Sequence, residues 1–395
     1  MAYRGLDYFG LDELYTEEEI MARDTVREMV SKEVMPTIGQ HFEKGTFPKS
    51  LIKTFGDMGL LGPSLKGYGC SGMSPTAYGL ICQELERGDS GVRSFASVQG
   101  SLCMYPIWAF GTEDQKEKYL PGMAKGEIIG CFGLTEPDFG SNPSGMLTTA
   151  KRTEKGFVLN GTKRWITNGS IANIAIVWAK LDGVVRGFVV PTKTPGFTAN
   201  DIHGKWSLRA SVTSELILED CEVGEDALLP NVKGLKGPLS CLNQARFGIC
   251  YGAVGAMQAC YEEALSYSKE RIQFNGPIAG FQMVQNKLAE MVQEITKAQL
   301  LAYRLGRLKE AGTLRPQHIS VAKRNNVYWA REIARTARDI LGANGVTHDY
   351  QCGRHMLNIE SVFTYEGTHD VHTLVIGQDV TGIPAFHQAQ QPSAK

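Results

Sequence analysis

The segment FTYEGTHDVH, residues 363–372, sets one carboxylate, Glu366, between Tyr365 and Gly367, with Thr368, His369, Asp370 and His372 directly after it. Two chemistries suit such a cluster. Glu366-x-x-His369 imitates half of a carboxylate-bridged dimetal motif, but that motif needs a second Glu-x-x-His on another helix, and the chain holds none. Capping or packing roles then fall to His369 and His372. A carboxylate can in general also move protons, but nothing in the segment alone gives Glu366 that role. A lone glutamate here reads equally as a solvated helix-end charge, so the choice depends on what else the chain offers.

Two further segments bear on that choice. CFGLTEPDFGSNPSG, residues 131–145, begins apolar and then becomes Thr-Glu-Pro and a loop of Gly, Ser and Asn. Short hydroxyls and exposed backbone N–H groups suit a flat heteroaromatic ring with polar edges, such as a flavin. WITNG, residues 165–169, adds an indole to cover one ring face and, at Thr167, a hydroxyl to reach an edge nitrogen. Either stretch alone reads as ordinary sheet. Together, on neighbouring segments, they favour a flavin. GYGCSG, residues 67–72, fits G-x-G-x-x-G, but the proline-bearing GLLGPSLK before it is no nucleotide-binding strand, so a glycine-rich turn is expected there.

Composition limits the class of protein. The chain has 395 residues, of which 43% are hydrophobic and 21% charged. That is an ordinary globular composition, and the length suffices for two or three domains. A formal net charge of −1 gives no global electrostatic case for nucleic acid. No apolar run reaches membrane-spanning length, so no membrane insertion is expected. MAYRGLDYFGLDELYTEEE resembles neither a signal nor a transit peptide. The nine scattered cysteines, with no CxxC, suit reduced thiols rather than disulfides or a metal site. The cytoplasm is the expected compartment, or an organelle matrix if a transit peptide has been removed.

Around these residues the chain reads as helix, sheet and helix. Residues 1–130 form an N-terminal α-helical domain. EEEIMARDTVREMVSKEVMP places Ile20, Met21, Val26, Met29 and Val30 on one stripe, and MSPTAYGLICQELER leaves Glu84, Glu86 and Arg87 off the apolar face. Residues 131–235 form a middle β-barrel or sandwich domain. In GFVLNGTKRWITNG two short runs are joined at Asn160-Gly161, a hairpin signal because that turn takes positive φ twice. Residues 236–395 form a C-terminal four-helix bundle, with Met283, Leu288, Met291, Ile295, Leu301, Leu305 and Leu308 at helical spacing in one of its helices.

TEPxxGS, WITNG, the Arg271-x-x-Phe274 pair and YEGT, in this order, resemble the acyl-CoA dehydrogenase family of FAD flavoproteins, and the resemblance runs almost the whole chain. It implies a homotetramer of α, β and α-bundle domains. It implies Glu366 as the base that removes the α-proton of an acyl-CoA thioester while hydride leaves the β-carbon for flavin N5. The Gly367 N–H would stabilise the enolate oxygen, and Arg246 would shape the CoA channel or pair a buried carboxylate. Phe132, Leu134, Thr135, Ser141, Trp165, Ile166 and Thr167 would line the flavin, with Ser141 also near the CoA arm and Thr368 reaching the cofactor. Arg271, Phe274 and Gln282 would reach the FAD of a neighbouring subunit. Asp339, Gly342 and Ala343, in DILGANG, would contact the same cofactor, and Asp370 and Phe386 would complete its site. The ordinary alternatives are a surface salt bridge for Arg271 and a helix cap for Gly342. Asn275 and Ala343 depart from glycines usual in the family. An electron-transfer flavoprotein is the implied electron acceptor.

ELERGDSGVRSFASVQGS, residues 84–101, brings Arg93 to the segment expected to border the acyl pocket. A buried arginine requires an anion, either Asp89 four residues earlier or one carried by the substrate. ELERxDSGxRS with SVQ and YEGTHD resembles the glutaryl-CoA-oxidising members of the family. There Arg93, with Ser94 and Ser97, would hold the distal carboxylate of glutaryl-CoA. Glu86 and Tyr365 resemble the members that also release CO2 and form crotonyl-CoA. A non-decarboxylating enzyme giving glutaconyl-CoA, and a dehydrogenase of short or branched acyl chains, are the alternatives.

Overall fold

The computed structural model describes residues 4–385, so Phe386 lies outside the described residues. Seven helices come first: α1 (Glu17–Met29), α2 (Ile38–Lys44), α3 (Leu51–Asp57), α4 (Pro75–Gly88), α5 (Ser90–Ser97), α6 (Tyr105–Phe110) and α7 (Glu113–Ala124). Their starts are written locally. Thr16 and Glu19 form a capping box on α1, Thr112 and Gln115 one on α7, and Ser74 caps α4 with Pro75 at its first turn. Helix α5 runs into α6 through a wide π turn at Val98–Met104.

Helix α4 is buried on every side, against α1, α8 and α9. Glu84, Glu86 and Arg87 are therefore buried rather than free on a polar face. Val26 and Met29 of α1, and Val30 just after it, enter the core as the stripe predicts, whereas Met21 is 66% exposed.

The middle sheet comprises β1 (Gly130–Gly133), β2 (Thr149–Thr153), β3 (Gly156–Thr167), β4 (Ile174–Leu181), β5 (Val184–Pro191), β6 (Phe197–Asp201) and β7 (Thr213–Gly224). The strand order is β1-β4-β2-β3-β7-β6, with β5 on the other edge of β4. The reversal between β2 and β3 falls at residues 154–155, not at Asn160-Gly161, which lies inside β3. There the register against β7 slips at Asp220, which the Asn160 side chain holds by two hydrogen bonds of 2.8 and 3.0 Å. Gly161 serves close approach rather than a turn, since a Cβ there would lie 2.4 Å from Thr148 Oγ1.

The C-terminal part is a helical bundle of α8 (Lys236–Glu270), α9 (Gln282–Glu310), α10 (Pro316–Ile340), α11 (Cys352–Thr364) and α12 (His369–Thr381). A short hairpin, β8 (Ile272–Gln273) and β9 (Gly276–Pro277), separates α8 from α9. Met291, Ile295 and Leu305 are buried as their spacing predicts, but Met283, in the first turn of α9, is 78% exposed. Residues 67–72 form a loop of turns between α3 and α4, with Gly67, Gly69 and Gly72 at positive φ. Among the described residues, no helix is long and apolar enough to cross a membrane.

Candidate active site

Helix α11 ends at Thr364 and α12 begins at His369, so Glu366 sits on the connecting turn. Its backbone is left-handed, with φ +53° at Glu366 and +90° at Gly367. For a residue with a Cβ this conformation costs about 1–3 kcal/mol, so the surroundings must enforce it. They do so with two cations. Arg246 Nε, from α8, donates to the Glu366 carbonyl at 2.6 Å. Lys323 Nζ, from α10, donates to the Tyr365 and Gly367 carbonyls at 2.6 and 2.7 Å. Glycine at 367 is required for space as well, because a Cβ would lie 2.9 Å from His372 Nε2.

The other polar residues of the segment have structural partners. Thr368 Oγ1 accepts the Val371 N–H and caps α12, and Asp370 stands exposed in that helix's first turn. His372 Nδ1 is 3.0 Å from Ser320 Oγ, and the His369 ring stacks on Phe363. No group of three His, Cys, Asp or Glu among the described residues could hold a metal.

Glu366 is partly buried, and its Oε2 is out of water with no hydrogen-bond partner. Burial raises its proton affinity above that of an ordinary carboxyl, while Arg93, Lys323 and Arg246 pull the other way. Burial lowers the proton affinity of Lys323, with Glu366 opposing.

Arg93 reaches the same turn from α5. Its Nε lies 2.7 Å from Glu86 Oε2, with both side chains fully buried, and its Nη2 donates to the Tyr365 hydroxyl. Ser94 Oγ is 3.0 Å from that hydroxyl. The internal anion is therefore Glu86, not Asp89. Asp89 caps α5 through the Gly91 N–H and is engaged by Arg354 and Asn358 of α11 at 2.6 and 2.8 Å. Arg93 Nη1, Glu86 Oε1 and Ser97 Oγ are buried without partners. Arg93 and Ser97 are four residues apart on α5, hence on one face.

On the sheet, the two flavin-like segments are adjacent. The Arg164 N–H donates to the Thr135 carbonyl at 2.9 Å, which sets β3 beside the chain leaving β1. Trp165 has φ +64° where the β3–β7 register slips, and it is 57% exposed although Ile166 is buried. Thr167 is half-buried, Phe132 and Leu134 are buried, and Ser141 is exposed on the loop. Lys163 Nζ donates to the Leu134 carbonyl at 3.1 Å and to Glu136 Oε1 at 2.9 Å, and Glu136 also accepts from the Leu147 and Thr148 N–H groups. Burial brings Lys163 down to about 8, with Glu136 opposing.

A second group lies apart. Arg271 directly follows α8, whereas Arg246 stands in the first third of that helix. At a rise of about 1.5 Å per residue, the two are about 37 Å apart along the axis. Phe274 is 90% exposed at the hairpin tip, and Gln282 is exposed at the start of α9. Asn275 has φ +67°, a conformation asparagine tolerates better than most residues, so it can stand where the family favours glycine. Asp339 is ion-paired with Lys287 and Arg338, which hold its carboxyl below the ordinary range, Lys287 chiefly. Gly342 has φ +60° and Ala343 is exposed.

Lys323 and Gly252 escaped the sequence analysis. Lys323 lies between Ile319 and Val327 on the apolar face of α10, and a charge at such a position is a readable signal. Gly252, on α8, makes room for the ion pair, since a Cβ there would lie 1.9 Å from Glu86 Oε2. Its sequence context is a glycine- and alanine-rich helix and does not single it out.

Two helical parts packed on each other through α4 and α8, a seven-stranded sheet between them in the chain, and a carboxylate turn held in the bundle define the class: the chain belongs to the acyl-CoA dehydrogenase family. The models of that family's N-terminal, middle and C-terminal domains match residues 16–127, 131–221 and 232–381. The short-chain-specific acyl-CoA dehydrogenase of Megasphaera elsdenii is 36% identical over 88% of this chain and 93% of its own length. A crystal structure of glutaryl-CoA dehydrogenase from Mycobacterium smegmatis is 56% identical, with a TM-score of 0.94 over 96% of this chain and 98% of that one. A structure of a glutaryl-CoA dehydrogenase from the same organism in complex with FADH2 is 52% identical, with a TM-score of 0.96 over 97% and 99%.

Proposed function

We propose that this chain is an FAD-dependent dehydrogenase that oxidises and decarboxylates glutaryl-CoA to crotonyl-CoA and CO2. The observation that carries the reading is the buried face of α5, where Arg93 Nη1 and Ser97 Oγ have no partner. An unmet guanidinium donor and hydroxyl in a dry site suit a carboxylate at the far end of an acyl chain. The relatives named glutaryl-CoA dehydrogenase support the substrate.

The cofactor is FAD. The exposed indole of Trp165, beside a Thr135 loop anchored by Glu136 and Lys163, fits an isoalloxazine with an apolar face and polar edges. Phe132, Leu134, Ile166 and Thr167 belong to the same wall, and Ser141 faces the CoA arm. When bound, FAD supplies the acceptor for the hydride that leaves the β-carbon. Arg271, Phe274, Gln282, Asp339, Gly342 and Ala343 hold the FAD of another protomer in a homotetramer, supported by their distance from Arg246 and the exposure of Phe274. The domain boundaries fall near residues 130 and 235. An electron-transfer flavoprotein takes the electrons onward.

The chain's own residues perform the proton chemistry. Glu366 takes the α-proton, and its burial makes it a stronger base than a solvated carboxylate. The Gly367 N–H points away from the cations holding the turn and is oriented to donate to the thioester oxygen. Arg93, Ser94 and Ser97 hold the distal carboxylate. Loss of that carboxylate as CO2 leaves a dienolate, and protonated Glu366 returns a proton to it. Glu86 and Tyr365, both on Arg93, border the departing carboxylate.

A second reading rests on the same pair. Glu86 already neutralises Arg93 inside the protein, which leaves room for an uncharged short acyl chain. Anaerobic mixing of the flavoprotein with glutaryl-CoA or butyryl-CoA, followed by flavin absorbance and then CO2, separates the readings. Fast bleaching with release of CO2 is expected with glutaryl-CoA. Preferential bleaching by butyryl-CoA, or glutaconyl-CoA as sole product, overturns the proposal.

A further inference from the structure

Lys323 is 2% exposed and stands on the core face of α10. A hydrocarbon residue would ordinarily pack there. Its Nζ takes the carbonyls of Tyr365 and Gly367, while Arg246 Nε takes the carbonyl between them, that of Glu366. In a trans peptide the carbonyl and the following N–H point in opposite directions. Cations that gather the carbonyls of residues 365, 366 and 367 therefore turn the N–H groups of 366, 367 and 368 away from α8 and α10. None of those three N–H groups has an acceptor among the described residues.

We propose that Lys323 is a positioning residue for the base, its ammonium fixing the left-handed Glu366–Gly367 turn and with it the directions in which the carboxylate and the neighbouring N–H groups are presented. The proposal rests on the reading of Glu366 as that base. An ammonium suits the task because it is a compact donor of three hydrogen bonds, able to hold two carbonyls from one point. Its charge also bears on Glu366. The charged and titratable groups facing the carboxylate are Glu86 of α4, Arg93 of α5, Arg246 of α8, Lys323 of α10 and Tyr365 on the turn itself, with Cys250 of α8 and His372 of α12 beside the lysine. Lys323 is the one that both touches the turn's backbone on either side of the glutamate and opposes its protonation.

The test compares Lys323→Met, which removes donor and charge, with Lys323→Gln, which keeps a neutral donor. Hydrogen exchange of the Tyr365, Val371 and His372 amides, which are hydrogen-bonded at the two ends of the turn, should quicken by about 10-fold or more in Lys323→Met, with the rest of the bundle unchanged. Lys323→Gln should fall between that variant and the wild type. The acidic limb of kcat/KM for glutaryl-CoA should move up by about one pH unit in both variants, because a cation that favoured the carboxylate is gone. Exchange and pH limb both unchanged in folded Lys323→Met would overturn the proposal. So would global unfolding of both variants, which would assign the lysine to the bundle as a whole rather than to the turn. Failure of the wild-type flavoprotein to be reduced by either glutaryl-CoA or butyryl-CoA would sink the functional reading instead, and the exchange comparison would still judge the hold of Lys323 on the turn.

Discussion

Arg93 Nε lies 2.7 Å from Glu86 Oε2, and neither side chain touches water. The guanidinium is thus half-satisfied before any substrate arrives, with its Nη1 left over. A buried cation with one fixed anion and one unmet donor is arranged to bind a second, removable anion. Arg93→Ala should therefore lower kcat/KM for glutaryl-CoA by about 10- to 150-fold, the equivalent of about 1.5–3 kcal/mol for a charge-assisted hydrogen bond. The loss for butyryl-CoA should be much smaller. Steady-state kinetics with both substrates checks this, and equal losses would deny Arg93 the role.

The carboxylate on the turn admits a cleaner substitution. Glu366→Gln keeps the shape and leaves the carbonyls of residues 365–367 available to Lys323 and Arg246. The variant should purify with flavin bound, and its rate of reduction should fall by at least about 10³-fold, within the range removal of a general base produces. Stopped-flow absorbance measures it. Retained dehydrogenation would end the assignment.

The pH dependence has a definite sign. Burial raises the proton affinity of Glu366, and only the ionised form can accept the α-proton. The rate must therefore fall as pH drops through that raised value. The acidic limb of kcat/KM in the wild type should lie above the about 4.3 expected of a free glutamate. A rate independent of pH down to the ordinary carboxylate range would show that the base is solvated.

Much of this was legible in the residues. The helix–sheet–helix order followed from periodicity, and the segments at 131–145 and 165–169 suggested a flavin by the residue types they juxtapose. What escaped was set by tertiary partners. Asn160-Gly161 has the chemistry of a tight turn, yet it lies inside β3 because Asp220, far along the chain on β7, supplies the bulge it faces. Glu86 reads as a polar-face residue until α8 is seen covering it. Asp89 stands at the spacing of a helical partner for Arg93, but α11 brings Arg354 and Asn358 to claim it. In each case local spacing named a plausible neighbour and a distant segment supplied the real one.

Gly252 gives the last test, because it depends on packing rather than on charge. Alanine is the better helix former by about 1 kcal/mol, so Gly252→Ala in the interior of α8 should stabilise the chain if propensity alone mattered. The added methyl, however, would lie 1.9 Å from Glu86 Oε2, closer than atoms can pack, and a tight 3.3 Å from Arg93 Nε. Glu86 must move, and in a dense interior such overpacking costs about 1–3 kcal/mol. The variant should melt at lower temperature than the wild type and lose discrimination between glutaryl-CoA and butyryl-CoA, since the displaced carboxylate takes Arg93 with it. Thermal denaturation with the two-substrate comparison checks both halves. A more stable variant with unchanged selectivity would mean that the ion pair does not depend on the gap this glycine leaves.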